Sequence, residues 1–311
     1  MRPRSRGSLR LTGAALACAV LLGSCSAATE PTDPTGTADD VRRGAEDAAQ
    51  GGQPGLERYV ALGDSFTAAP LVPTTDLAEG CLRSDGNYPA IVAERLDIAE
   101  LVDVSCSGAR TRDLTRPQRT VRDTAVPPQL EVLDPDTDLV TLGIGGNDFG
   151  LFSTLVSTCA QLAPRDPQGT PCADDLASRG IDLVARTADI SARVERAVEA
   201  IRERAPEAEV LLVGYLRIAP TEGRCRALPF ARGDYAFGDR VTRALNAAIE
   251  RAARRTGAGY VDMHAASEGH DVCAEDAWVN GHLTLEGEAL AFHPFAEGME
   301  AVADEVVSAL E

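Results

Sequence analysis

The chain of 311 residues contains no lysine; all 30 of its basic side chains are arginine, set against 48 acidic ones, for a formal charge of −18. Beyond the N-terminal segment there is no basic cluster. An acidic chain of this kind is a poor partner for nucleic acid or for an anionic membrane surface. Histidine is scarce, with four residues, and no two stand at His-x-x-x-His spacing. No two cysteines form a C-x-x-C pair. These absences leave little from which to build a zinc centre or a redox dithiol, so neither a metal nor a cofactor is expected. Aromatic residues are only 4% of the chain, too few for an extended groove that stacks sugar rings. Hydrophobic residues reach 44%, which is enough to bury the core of one large domain or two small ones.

The N-terminus reads as a targeting segment. Arg2, Arg4, Arg6 and Arg10 make a positive n-region, and Leu11 to Leu22 an apolar h-region too short to span a bilayer as a mature helix. Leu22-Gly23-Ser24-Cys25 resembles a bacterial lipobox, in which the cysteine is lipidated and becomes the first mature residue. Residues 1–24 are therefore expected to be a signal peptide of lipoprotein type. An ordinary secretory signal with an incidental Cys25 leads to the same side of the membrane. The protein is expected outside the cell or anchored by lipid to the outer face of the cell membrane. Removing residues 1–24 removes four arginines and no acid, which takes the charge from −18 to −22. Residues 25–55 are rich in Thr, Pro, Asp, Gly and Ala and are expected to be a disordered linker. Residues 56–311 are expected to be the folded domain. Six of its residues are cysteine: Cys81, Cys106, Cys159, Cys172, Cys225 and Cys273. An even number in an exported chain suggests three disulfides, although fifteen pairings are available to six cysteines.

From Leu56 onward, strand patterns alternate with helix patterns. Strands are expected at 58–62, 101–105, 138–144, 209–213 and 259–263. Helices are expected at 88–96, 182–204, 234–256 and 295–310. The alternation predicts a parallel sheet covered on both faces, and such sheets carry their sites at the carboxyl ends of the strands. Tyr59-Val60-Ala61-Leu62-Gly63-Asp64-Ser65-Phe66 is the most telling stretch. An apolar strand stops at a glycine, turns through an aspartate and presents a serine, which is one way to lift a nucleophilic hydroxyl out of a sheet edge. Cys106-Ser107-Gly108-Ala109 follows the second strand, and Gly145-Gly146-Asn147-Asp148 the third. Phe292-His293-Pro294 precedes the last helix. A hydroxyl, an imidazole and convergent N–H donors are what ester hydrolysis needs.

Gly-Asp-Ser, then Gly108, Gly-Gly-Asn-Asp and His-Pro in this order resemble the SGNH/GDSL hydrolase family, in particular its secreted actinobacterial lipase/esterase branch, over roughly Leu56 to Leu310. The resemblance implies a flavodoxin-like three-layer α/β/α fold around a five-stranded parallel sheet. It implies Ser65 as nucleophile, His293 as general base, and an oxyanion hole from the Ser65 N–H, the Gly108 N–H and the Asn147 side chain. It also implies the sequential pairing Cys81–Cys106, Cys159–Cys172 and Cys225–Cys273, and hydrolysis of carboxylic esters without a metal. The partner is then a small-molecule or lipid ester, and nothing in the sequence points to more than a monomer.

One departure stands out. Many members of the family carry an aspartate three residues before the histidine, where this chain has Leu290. A leucine side chain cannot orient an imidazole, so the main-chain carbonyl of Leu290 is expected to do so, with Glu286 and Glu288 as the lesser candidates. Asp64 and Asp148 are expected to brace their turns. His264, His270, His282 and Trp278 are expected to be structural. Leu71, Val72, Phe149, Leu151, Phe152, Leu155, Leu216, Ile218, Leu228 and Phe230 lie in connections read as irregular (66–100, 149–180 and 215–235) and are candidate walls of an acyl pocket. A sugar-ester or cell-wall acetyl esterase would share the machinery but want stacking aromatics. A surface lipoprotein that only binds would lack one of the reacting groups, and all of them are here.

Overall fold

The computed structural model describes residues 55–221 and 223–311. The expected signal peptide, Cys25 and nearly all of the linker lie outside the described residues. The apolar runs form strands β1 (Arg58–Gly63), β2 (Glu100–Asp103), β5 (Leu139–Gly143), β6 (Glu209–Val213) and β7 (Gly259–Val261), while β3 (Gln118–Arg119) and β4 (Ala125–Val126) make a small antiparallel hairpin apart from them. The five longer-range strands pair in parallel in the order β2-β1-β5-β6-β7. This is the flavodoxin-like arrangement, in which the chain leaves β1 toward one edge and later fills the other.

Eight α-helices complete the described part: α1 (Ser65–Ala68), α2 (Tyr88–Arg95), α3 (Leu151–Leu162), α4 (Pro171–Ser178), α5 (Leu183–Arg202), α6 (Tyr235–Thr256), α7 (Met263–Ala266) and α8 (Ala296–Ser308). Their ends follow from local chemistry. Asn87 accepts the Ala90 N–H at 3.1 Å and starts α2; Asp182 does the same for Ala185 at 2.9 Å and starts α5. Helix α2 packs on α8 and α5 on α6. Right-handed crossovers in opposite directions from β1 place these pairs on opposite faces of the sheet. The strands between them are buried on both sides, with Tyr59, Val60, Ala61, Leu62, Leu139, Val140 and Leu212 without solvent contact or nearly so.

Strands and long helices fall within two residues of where the sequence puts them. The stretch 149–180 does not. It was expected to be irregular and instead holds α3 and α4. Asp234, far along the chain, accepts the N–H groups of Cys172 and Ala173 at 3.0 Å each and caps α4 from outside the segment. The cysteines are bonded as Cys81–Cys106, Cys159–Cys172 and Cys225–Cys273. The second bridge clips α3 to α4. The first ties the segment after α1 to the loop after β2.

Candidate active site

The register pairs Leu62 with Leu142 and Gly63 with Gly143, so β1 and β5 end side by side at the point where the strand order reverses. Gly63 is fixed from three directions. Its N–H donates to Gln129 Oε1 at 2.8 Å, and its carbonyl accepts from Gln129 Nε2 at 2.9 Å and from the Cys106 N–H at 3.0 Å. A Cβ at this position would stand 2.2 Å from Thr67 Oγ1 and 2.8 Å from the Gly143 carbonyl. Only glycine lets α1 fold back this tightly on the strand, and that fold sets Ser65 at the sheet edge.

Ser65 Oγ lies 2.7 Å from His293 Nε2, across 228 residues of chain. The other ring nitrogen, Nδ1, is 2.7 Å from the carbonyl of Ala291. A carbonyl only accepts, so Nδ1 carries the proton and Nε2 is left to accept from the serine hydroxyl. Burial lowers the His293 pKa below the ordinary imidazole range, against a smaller upward pull from the Ala291 carbonyl. The ring is therefore held neutral, in the tautomer that can take a proton from Ser65.

The orienting carbonyl is not the one expected. The Leu290 carbonyl accepts the His293 N–H at 3.1 Å and Asn280 Nδ2 at 3.2 Å, and makes no bond to the ring. The physical reason is Phe292, which has φ 61°. This left-handed residue turns the chain so that the imidazole folds back on the second carbonyl before it rather than the third. Glu286 and Glu288 are exposed and neither bonds the ring.

Asn147 projects from the turn after β5. Its Nδ2 donates to the Ala109 carbonyl at 3.0 Å and lies 3.4 Å from Asp64 Oδ2. Ala109 is next to Gly108, which has φ 79°. A Cβ on Gly108 would meet nothing nearer than 4.0 Å, so glycine answers to the backbone there and not to space. The Gly108 and Ser65 N–H groups have no hydrogen-bond partner among the described residues. Ser65, Asn147 and His293 share the lining of one pocket of about 150 Å³; Gly108 lies outside that lining.

Sequence reasoning missed Tyr215. Its hydroxyl donates to Asp64 Oδ2 at 2.5 Å and accepts the Gly146 N–H at 2.8 Å, so one buried phenol braces both turns that carry the site. Asp64 also accepts the Phe66 N–H at 3.0 Å. Burial raises its pKa to about 7, with the Tyr215 hydrogen bond and the Phe66 N–H pulling the other way. Asp148 behaves differently from the local brace expected of it. It reaches the N–H and hydroxyl of Thr111 at 2.9 and 2.7 Å and Arg193 at 2.5 Å, tying the turn to the next loop and to α5.

The pocket wall is apolar: Phe66, Phe152, Val156, Ile218 and Phe292 line it. Phe66 stacks 5.9 Å from Phe152 and stands 5.5 Å from the His293 ring. Of the expected wall residues, Phe152 and Ile218 take that place. Val72, Leu151, Leu155, Leu216, Leu228 and Phe230 are core, and Phe149 points to a different groove. His264 is buried with its Nε2 3.6 Å from Asp239, His270 stacks on Trp278 at 4.0 Å, and His282 bonds the Ala227 carbonyl; none lines the Ser65 pocket.

A flavodoxin-like sheet with a serine and a neutral histidine at its switch point defines a hydrolase of the SGNH type. Residues 61–301 match the GDSL-like lipase/acylhydrolase family. The chain belongs to that family, and it is a carboxylic ester hydrolase. It is 37% identical over 259 residues to a lipase of Streptomyces coelicolor, Lipase 2, covering 81% of this chain and 85% of that protein. An esterase of Streptomyces scabiei is 28% identical over 97% of this chain and 94% of its own. Among solved structures, the phospholipase A1 of Streptomyces albidoflavus NA297 matches with a TM-score of 0.69 at 28% identity, over 81% of this chain and 99% of that one. The extracellular lipase of Streptomyces rimosus matches with a TM-score of 0.68 at 27% identity over the same shares.

Proposed function

We propose that this protein hydrolyses esters of apolar acyl chains through an acyl-enzyme on Ser65. Ser65 Oγ attacks the acyl carbonyl carbon while His293 Nε2 takes the hydroxyl proton. The carbonyl oxygen becomes an oxyanion held by the Ser65 N–H, the Gly108 N–H and the Asn147 amide. Asn147 exchanges its long contact with Asp64 for that oxyanion. The tetrahedral intermediate collapses, the C–O bond to the alcohol breaks, and His293 returns the proton to the leaving oxygen. Water then attacks the acyl-serine with His293 again as base, and the carboxylic acid leaves. The Ala291 carbonyl holds the ring and accepts from the imidazolium as it forms.

The observation that carries this reading is the pair of 2.7 Å contacts on the two nitrogens of His293. The apolar wall and the pocket of about 150 Å³ favour a short acyl chain. The reading extends to the whole precursor: residues 1–24 as an export signal, lipid on Cys25, residues 25–55 as a tether and 56–311 as the catalytic domain.

Hydrolysis of p-nitrophenyl butyrate by the exported chain, beside its Ser65→Ala variant, tests the reading. Turnover by the parent and loss of about 10³-fold or more in the variant is expected. Equal rates would overturn it. Turnover of acetylated sugars alone would move the chain to the sugar-ester class.

A further inference from the structure

The turn after β2 is built around one peptide. The Ala109 N–H donates to the Cys106 carbonyl at 3.0 Å, so residues 106–109 close a β-turn with Ser107 and Gly108 in the middle. Gly108 has φ 79°, the type II form. A type I turn wants about −90° at that position. The two forms differ by a half-turn of the central peptide, the one that joins Ser107 to Gly108. Glycine takes either form without steric cost. The residue that permits the turn therefore does not decide which way this peptide faces.

The N–H groups around it are fixed. Cys106 donates to the Gly63 carbonyl at 3.0 Å and Ser107 to the Cys81 carbonyl at 2.9 Å. With Ala109 these account for the neighbours of Gly108, whose own N–H has no partner among the described residues. In a trans peptide the C=O and N–H point opposite ways. Whatever holds the Ser107 carbonyl thus aims the Gly108 N–H.

Gln118 holds it. This residue stands on β3, is 6% exposed, and donates from Nε2 to the Ser107 carbonyl at 2.9 Å. The nearest atom to a Cβ on Gly108 is the same nitrogen, at 4.0 Å. A carbonyl only accepts, so the amide nitrogen must be the end that faces it. The other end, Oε1, is buried without a partner among the described residues. Methionine in this place would orphan the Ser107 carbonyl instead of Oε1. The count of unpaired buried acceptors would not change, so stability gives little reason for an amide here. The hairpin that carries Gln118 is itself pinned. Val126 pairs with Gln118, and Thr120 Oγ1 donates to the Glu79 carbonyl at 2.8 Å, two residues before Cys81. A hydrogen bond on the Ser107 carbonyl also polarises that peptide and makes its N–H a stronger donor.

We infer that Gln118 is a positioning residue for ester hydrolysis: it locks the Ser107–Gly108 peptide in the orientation that presents the Gly108 N–H to the oxyanion. This rests on the esterase reading above, with Gly108 as an oxyanion donor.

The test is the kcat and KM of the full chain on p-nitrophenyl butyrate, beside Gln118→Met and Gln118→Asn. Methionine keeps the length and removes the donor; asparagine draws the amide back by one methylene. Losing an oxyanion donor outright costs about 10²–10³ in kcat. A peptide freed to flip should cost about tenfold or more in both variants, with KM within about twofold of the parent. Butylboronic acid, which puts a tetrahedral anion on Ser65, should lose affinity by a similar factor. Melting temperature should stay within about 4 °C of the parent. Arg119→Ala serves as the control. It cuts the bonds across the hairpin turn to Asp123 and leaves the Ser107 carbonyl alone, so kcat should hold within about twofold. Parent-like kcat in both Gln118 variants would overturn the lock and leave the esterase reading standing. A loss of kcat matched by Arg119→Ala would also overturn it, as general loosening of the hairpin. A parent that cleaves no ester would sink the esterase reading and the role of Gln118 with it.

Discussion

The imidazole of His293 hangs on the carbonyl of Ala291, two residues before it, at 2.7 Å. No side-chain carboxylate takes part. The atom that orients the base therefore belongs to the backbone and survives any side-chain exchange that keeps the backbone turned. Leu290→Ala, Glu286→Gln and Glu288→Gln should each leave kcat/KM on p-nitrophenyl butyrate within about threefold of the parent. Phe292→Pro, which cannot reach φ 61°, should lower it by about 10²-fold or more. Loss of activity in Glu286→Gln or Glu288→Gln would return the orienting role to a carboxylate.

His293 must be neutral to accept the Ser65 proton. Its pKa is lowered by burial, so the acid limb of a kcat/KM profile should have its midpoint below the ordinary value of about 6.5. The sign for stability is the same. The folded form disfavours the imidazolium, so this contribution is full above the unfolded pKa and fades as pH falls through the folded one. A pH–rate profile whose acid limb bends above pH 7 would contradict the burial argument.

Asp64 works in the opposite direction. Its pKa is raised to about 7, so the folded protein holds a proton there that the unfolded chain has already released. Stability from this group is full below the unfolded value of about 4, declines as pH rises toward about 7, and is flat above it. Asp64→Asn keeps a capping side chain but cannot titrate. Melting temperature followed from pH 4 to 8 should fall less steeply over that window in Asp64→Asn than in the parent. Tyr215→Phe removes a donor to the carboxylate and should push the titration further up. It should also cost about 1–3 kcal/mol, because the Gly146 N–H loses its partner. Parallel melting curves for Asp64→Asn and the parent would mean that Asp64 is ionised throughout.

Acyl length should be set by the pocket wall. Val156→Ala shortens a half-buried wall residue away from the reacting atoms. The ratio of kcat/KM for the hexanoate over the butyrate p-nitrophenyl ester should rise by about tenfold, the low end of what one methylene is worth in a pocket. A ratio that stays put would place the acyl chain elsewhere.

Much of this molecule is legible from sequence, for physical reasons that can be named. The strands and long helices announce themselves by alternation and by runs that bury on both faces, and the strand ends then collect Ser65, Gly108 and Asn147 into one region. The misses share a cause, which is dependence on partners distant in the chain. Helix α4 is started by Asp234, some sixty residues on, so nothing in 149–180 advertises it. Tyr215 stands at the start of the connection 215–235, read as irregular, and nothing there marks it until its hydroxyl meets Asp64. The Ala291 carbonyl depends on one left-handed phenylalanine, where no glycine gives warning. The expectation of no basic cluster beyond the N-terminal segment also fails: Arg110, Arg112 and Arg116 meet Arg193 and Arg196 of α5 around one groove, and the total charge of −18 hides the run of arginines at 110–122.

The three bridges follow one another along the chain without crossing or nesting: 81 to 106, 159 to 172, 225 to 273. A polypeptide threaded through a pore from its N-terminus presents each second cysteine before the first cysteine of the next pair emerges. With the Cys25 thiol taken by lipid, as proposed above, an oxidant waiting at the exit meets only one unfinished pair at a time, and closing thiols in order of arrival already yields the native set.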